Sequence, residues 1–174
     1  MPLKSTVNFV SLPTSQFELL QQQLQKNDCI KALETAETLI NQPLANVQRA
    51  LVLKLQGDAS RGAGDMDTAW RLWLESLMLR FSPQLAFVML ESITLPAFKE
   101  STQKEWFMIF CMLVDQGYEV LLIRFLSAWI EQWPLQQQRQ QFFELFNQNI
   151  SYIEDREGSF NRLLLRIQNI SGVH

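Results

Sequence analysis

Residues 50–83 read ALVLKLQGDASRGAGDMDTAWRLWLESLMLRFSP, and this stretch decides the fold. Two helical patterns are joined here by a turn at 62–64, and Asp65 is the expected cap of the second helix. The second pattern is apolar on almost every side, at Trp70, Leu72, Trp73, Leu74, Leu77, Met78, Leu79 and Phe81. A helix that is hydrophobic all round must be covered from several directions. We therefore expect the rest of the chain to supply further helices.

The composition favours an all-α protein with one packed core. Of the 174 residues, 47% are hydrophobic and 19% are charged, which is typical of a globular domain rather than a disordered chain. No window shows sustained alternation of apolar and polar residues, so a sheet protein is disfavoured. We expect a short leader over 1–13 and a single helical domain over 14–174.

Helical periodicity predicts about nine helices in stacked antiparallel hairpins, joined by short links. The helix between Pro43 and Gly62 is expected to turn its large apolar residues inward, namely Leu44, Val47, Leu51 and Leu55. A capping box at Thr102 and Glu105 predicts that a later helix begins at Thr102.

A short helix over 84–92 leaves the pairing of the later helices open. Either 84–92 pairs with 100–116, or 102–116 pairs with 118–133. Both arrangements are compatible with the apolar patterns.

Three windows of the chain, near 13–46, 50–83 and 103–136, share one order of features. Each reads as helix, tight turn, helix and proline, over roughly 34 residues. The positions that align are Asn27, Ala32, Ala36 and Pro43 in the first window, Gly57, Gly64, Ala69 and Pro83 in the second, and Trp106, Gly117, Leu122, Leu126 and Pro134 in the third.

At Gly57, Ala69, Trp73 and Pro83 the chain resembles the tetratricopeptide-repeat (TPR) family of helical hairpins, with degenerate repeats. A glycine inside a helix costs about 1 kcal/mol against alanine, so Gly57 predicts a close approach of the second helix. The sequence departs from the family pattern at several points. Gln56 and Ser60 replace a leucine and an aromatic residue, and the first window lacks the glycine.

The resemblance implies a binding groove lined by the first helix of each hairpin. Carried onto this sequence, the groove residues are Leu51, Lys54, Asp58 and Arg61 in the second window and Lys104, Phe107, Cys111 and Val114 in the third. They are spaced by three and four, so each set shares one helix face. The alternative is that the charged members are solvated and the apolar ones packed. The Lys, Asn and Arg set of carboxylate-binding family members is not reproduced.

The residue inventory argues against an enzyme, a cofactor and a metal site. The only histidine is His174, which leaves no partner for a catalytic triad. Cys29 and Cys111 are expected to be free, buried thiols rather than metal ligands. Glycine-rich phosphate loops are missing from the sequence, and the tryptophans are expected to be core residues.

Charge and hydropathy bear on the compartment and the partners. A net charge of −3 without a basic stripe is a poor match to nucleic acid. The longest apolar run, 106–114, is far shorter than the ~20 residues of a membrane span. We therefore expect a cytoplasmic protein with no membrane span.

Binding is the remaining class of function. The sequence favours a non-enzymatic protein–protein interaction module, either an adaptor or scaffold or a chaperone-like subunit that holds a client. One alternative is a structural subunit that assembles with itself as a homo-oligomer. A further alternative is a helical-repeat nucleic-acid binder, for which Arg61, Arg71, Arg80 and Arg124 would have to supply the positive face.

Overall fold

The computed structural model of the chain describes residues 14–92 and 100–131, with Glu144 and Leu165 as isolated positions. Over these two ranges the elements are seven α-helices and no strand. The helices are α1 (Thr14–Gln25), α2 (Cys29–Ile40), α3 (Asn46–Gly62), α4 (Met66–Leu79), α5 (Pro83–Ser92), α6 (Glu100–Asp115) and α7 (Glu119–Glu131). The all-α prediction is confirmed for these residues. The leader and the helices expected after 131 lie outside them.

The chain falls into two compact units, Met1–Ser82 and Pro83–His174. The first holds α1 to α4, and the second holds α5 to α7. A single domain over 14–174 stays a prediction. No helix in the described ranges combines the length and the apolar character that crossing a bilayer requires.

Three hairpins, α1–α2, α3–α4 and α6–α7, use the same turn. The left-handed residue of each turn is Asn27 (φ 57°), Gly64 (φ 88°) or Gly117 (φ 82°). In each turn the amide of this residue donates to the carbonyl three positions earlier, and the next amide donates to the carbonyl five positions before it. This is the Schellman arrangement, which satisfies the last carbonyls of a helix. The three turns aligned by sequence are therefore equivalent in structure.

Aspartate caps the second helix in the first two hairpins. Asp28 accepts from the amide of Lys31 at 3.5 Å, and Asp65 accepts from the amide of Thr68 at 3.0 Å. Hydrogen bonds from Thr68 lower the pKa of Asp65, because they stabilise its charged form. Both caps were predicted from the sequence and are confirmed.

The core of the first unit lies among α1, α2 and α3, and α3 also contacts α4. It contains small as well as large apolar side chains, namely Leu20, Ala32, Ala36, Leu39, Val52, Leu55 and Ala59. Alanines in the core let the helix axes approach closely. Helix α3 is consequently buried on two opposite sides, by α2 and α4.

The contact between α3 and α4 is closest at Gly57. A Cβ atom at this position would overlap the indole of Trp73 and would lie 3.2 Å from the carbonyl oxygen of Ala69. One end of the same interface is joined by the hydroxyl of Ser76, which donates to the carbonyl oxygen of Ala50 at 2.6 Å. The close approach predicted at Gly57 is confirmed.

In the second unit, α6 packs against both α5 and α7, so the two pairings left open by the sequence both occur. The indole N–H of Trp106 on α6 donates to the carbonyl oxygen of Leu90 on α5 at 3.4 Å. Its ring stacks on Phe110, with 5.8 Å between the centroids. Helix α6 begins at Glu100, so the capping box placed its start two residues too late and Thr102 is not the cap.

Candidate functional site

The predicted groove residues of the second window lie along one side of α3, together with Val47 one turn earlier. We call this set of five residues, Val47, Leu51, Lys54, Asp58 and Arg61, the α3 strip. Val47 is 53% exposed and Leu51 is 42% exposed, whereas periodicity predicted that both face inward. Lys54 and Asp58 are half-buried, and Arg61 is exposed. The prediction was wrong because α3 packs against both α2 and α4, and Val47 and Leu51 lie on a side of the helix that these contacts leave open.

Trp73 of α4 lies beneath the charged half of the strip. The whole residue is buried, and its indole N–H is shared between two acceptors on α3. These are the carbonyl oxygen of Lys54 at 3.2 Å and Oδ1 of Asp58 at 3.1 Å. A buried indole N–H needs such an acceptor, because leaving it unpaired is costly.

The three charged residues of the strip are arranged around this indole. Nζ of Lys54 lies 2.7 Å from Oδ2 of Asp58, so both carboxylate oxygens of Asp58 have a partner. The guanidinium carbon of Arg61 lies 5.2 Å from the centroid of the Trp73 ring, a cation–π contact. The charged end of the strip is therefore held in place from below.

Arg61 forms no ion pair with the residues that the structure describes. Within residues 14–92 and 100–131, no carboxylate oxygen lies within 4.0 Å of its guanidinium nitrogens; the ion pairs found there are Lys31–Asp28 and Lys54–Asp58. The face of an indole attracts a cation but accepts no conventional hydrogen bond from it. The chemistry open to this site is the binding of an anion or of an acceptor oxygen.

The second predicted set, on α6, does not form an open surface. Phe107 is only 5% exposed and contacts the rings of Trp106 and Phe110, so it offers a partner little surface. Lys104 is exposed, and Cys111 and Val114 are half-buried. The physical reason is that α6 is covered by α5 and α7, and a spacing of three and four does not distinguish a groove face from a core face.

Both cysteines are free and half-buried. Burial, followed by the negative charge of Asp115, raises the pKa of Cys111 to about 11. A thiol with this pKa is almost wholly protonated at neutral pH and is a weak nucleophile. Among the residues that the structure describes, no three Cys, His, Asp or Glu side chains are grouped as metal ligands would be.

Two residues of the site were not predicted from the sequence to belong to it. Val47 was assigned to the core, and Trp73 was recognised as a packing residue but not as a hydrogen-bond donor. One signal could have found the second. Gly57 opens a gap on α3, and Lys54, Asp58 and Arg61 surround that gap on the same helix face, where a large ring from α4 would meet them.

Comparison with known proteins gives the chain no relatives, since no protein-family model, no curated protein and no solved structure matches it. Function must therefore be argued from the residues of the α3 strip.

Proposed function

We propose that this chain is a non-enzymatic protein–protein interaction module built of TPR-like hairpins, and that its partner binds the α3 strip. In this proposal it acts as an adaptor, a scaffold or a chaperone-like subunit. The observation that carries the proposal is the strip itself. Two exposed aliphatic side chains, Val47 and Leu51, continue directly into charged groups fixed over Trp73.

This combination is what a binding surface needs. Apolar side chains supply the favourable free energy of burial, and a neighbouring arginine supplies directional contacts. Because the strip lies on a helix anchored to α4, few side chains lose conformational freedom when a partner binds. We place the protein in the cytoplasm, which is supported by its two free cysteines.

Site-specific cross-linking in the source cells tests the proposal. A photoreactive amino acid replaces Leu51 in one variant and the exposed Glu75 of α4 in a control. We expect one defined adduct at position 51 that does not form at position 75. A second variant of the cross-linking chain carries Val47→Asp, and we expect it to lose the adduct while its thermal unfolding is unchanged.

The proposal fails if position 51 forms no adduct, or if the same adducts form at both positions. An adduct of the chain with itself would instead support self-assembly.

Self-assembly is favoured by a separate observation. Met78 is 63% exposed near the end of α4, and Leu79 beside it is partly exposed. Exposed apolar residues of this size are buried when subunits associate. Sedimentation at several concentrations distinguishes the two functions. A concentration-dependent mass that Met78→Lys abolishes would support the homo-oligomer, and a strict monomer would exclude it.

A further inference from the structure

Arg61 is a solvent-exposed cation with two properties that bear on binding. Its guanidinium is held against the ring of Trp73, and it has no carboxylate partner among the described residues. Asp58 lies three positions earlier on the same helix, at a spacing where an ion pair with Arg61 would be expected. The reason that this pair does not form is visible in the structure.

Asp58 is already occupied. Its Oδ1 accepts the indole N–H of Trp73, and its Oδ2 lies 2.7 Å from Nζ of Lys54. The Lys54–Asp58 pair is therefore neutral as a unit, and both oxygens of Asp58 have partners other than the guanidinium of Arg61. The strip is left with a single net positive charge, located at Arg61.

We propose that Arg61 binds a carboxylate side chain of the partner, and that the partner segment is an amphipathic helix lying along the α3 strip. This deepens the proposed function and rests on it. The partner helix contributes two apolar side chains, one turn apart, to Val47 and Leu51. An acidic residue further along the same helix reaches Arg61.

The dimensions of the strip fix the spacing in the partner. Leu51 and Arg61 are ten residues apart on α3, which is about 15 Å at the rise of an α-helix. A helix lying alongside should therefore carry its acidic residue ten or eleven positions from the apolar residue that contacts Leu51. Charge complementarity requires Glu or Asp there, and the flat guanidinium fork suits a carboxylate in two-point contact.

A helical partner fits better than an extended one. The backbone amides and carbonyls of α3 are bonded within the helix, so the strip offers an extended peptide no backbone partners for its own polar groups. A helix brings its backbone hydrogen bonds with it. It needs only side-chain contacts, which is what the strip provides.

A display library of amphipathic helical peptides, selected on the immobilised full chain, tests the proposal. We expect the selected peptides to carry two apolar residues one turn apart. Glu or Asp should follow ten or eleven positions from the apolar residue that contacts Leu51. The affinity of a selected peptide should fall at least about tenfold for Arg61→Gln, in which one hydrogen-bonded charge is lost. Arg61→Lys should recover only part of that loss.

Two controls separate the contact from general charge effects. Arg71→Gln removes the same charge from an exposed position on α4 and should change the affinity by less than about twofold. Replacing the peptide's acidic residue by the matching amide should weaken binding to wild type, but not weaken it further for Arg61→Gln. In labelled protein, the indole N–H resonance of Trp73 should shift on binding of the acidic peptide.

The proposal is overturned if selected peptides lack an acidic residue at that spacing, if they bind Arg61→Gln as tightly as wild type, or if no peptide is enriched. Peptides that ignore Arg61 but are lost with Leu51→Asp would overturn the carboxylate contact while leaving the proposed function in place. Enrichment of peptides that bind only through Met78 would also overturn the proposal, and would favour the exposed apolar residues at the end of α4 as the binding surface.

Discussion

The hairpins α1–α2 and α3–α4 share a turn and a cap, yet they fill the space between their helices in opposite ways. Seven positions before the left-handed residue, α1 carries Leu20 and α3 carries Gly57. Nine positions after it, α2 carries Ala36 and α4 carries Trp73. All four residues are buried. The large side chain is on the first helix in one hairpin and on the second helix in the other.

This exchange has a consequence beyond packing. Leucine and alanine bring no polar atom to the interface, so the first hairpin is packed by apolar contacts at these two positions. Tryptophan brings an N–H group, which must be satisfied on α3 and is satisfied at Lys54 and Asp58. The second hairpin therefore acquires an ordered polar surface where the first does not. The candidate site thus lies where the second hairpin places its large side chain on the second helix.

The largest expected loss of stability is that of Trp73→Ala. The change removes a wholly buried ring opposite a glycine, and neither residue can fill the space that is left. We expect the free energy of unfolding to fall by about 3–5 kcal/mol, measured by urea unfolding. Ala36→Gly in the first hairpin is the matched control, and we expect a loss of roughly 1 kcal/mol. Equal losses would show that Trp73 is not the main packing element of its hairpin.

The exchange can also be made deliberately. Gly57→Leu with Trp73→Ala gives the second hairpin the residues of the first, and we expect the double variant to recover about 1–3 kcal/mol relative to Trp73→Ala alone. It should nevertheless lose binding to the α3 strip, because the indole support of Arg61 is gone. If the double variant loses as much stability as Gly57→Leu and Trp73→Ala lose in sum, the proposed equivalence of the two hairpins is contradicted.

The turns differ in the residue that adopts the left-handed conformation, and this difference is testable at smaller scale. Gly64→Ala should destabilise by about 1–2 kcal/mol although its Cβ would meet open space, because the cost is in the backbone. Asn27→Gly should be nearly neutral, since asparagine tolerates this conformation. Thermal unfolding of the two variants measures the contrast. A neutral Gly64→Ala would mean that the turn can relax.

The smallest effect concerns the caps. Because the pKa of Asp65 is lowered in the folded state, its charge contributes stability above its unfolded pKa, and that contribution is lost as the pH falls through the lowered value. We expect the difference in unfolding midpoint between wild type and Asp65→Asn to be present at pH 7 and to vanish once the pH lies below the lowered pKa of Asp65, where the carboxyl is protonated in both states. A difference that does not change with pH would show that the effect does not come from the charge of Asp65.

The sequence predicted the helices and their turns well. Gly64 and Gly117 were assigned to turns because glycine adopts the left-handed conformation at little cost. Asn27 was aligned with them, but its left-handed conformation was not predicted. Gly57 was recognised for a related reason, since a glycine inside a helix has a known cost and needs an explanation. Each of these predictions rests on backbone chemistry that the chain carries in itself.

Burial on individual helix faces was predicted poorly. Val47 and Leu51 are large but exposed, whereas Ala50, Gly57 and Ser60 are small but buried. The error has one cause, which is that close approach of helices selects small residues and a count of large apolar residues overlooks them. Phe107 shows the converse, because a residue on an expected groove face is buried where its helix packs against two neighbours.

The indole N–H of Trp73, which has two acceptors on α3, can report on the opening of the second hairpin. It can exchange with deuterium only when the indole leaves Lys54 and Asp58, and that requires α3 and α4 to separate. Its exchange rate therefore measures how often this one hairpin opens in an otherwise folded chain. A ligand on the strip would slow the exchange without touching the proton, so occupancy of the surface becomes visible from the inside.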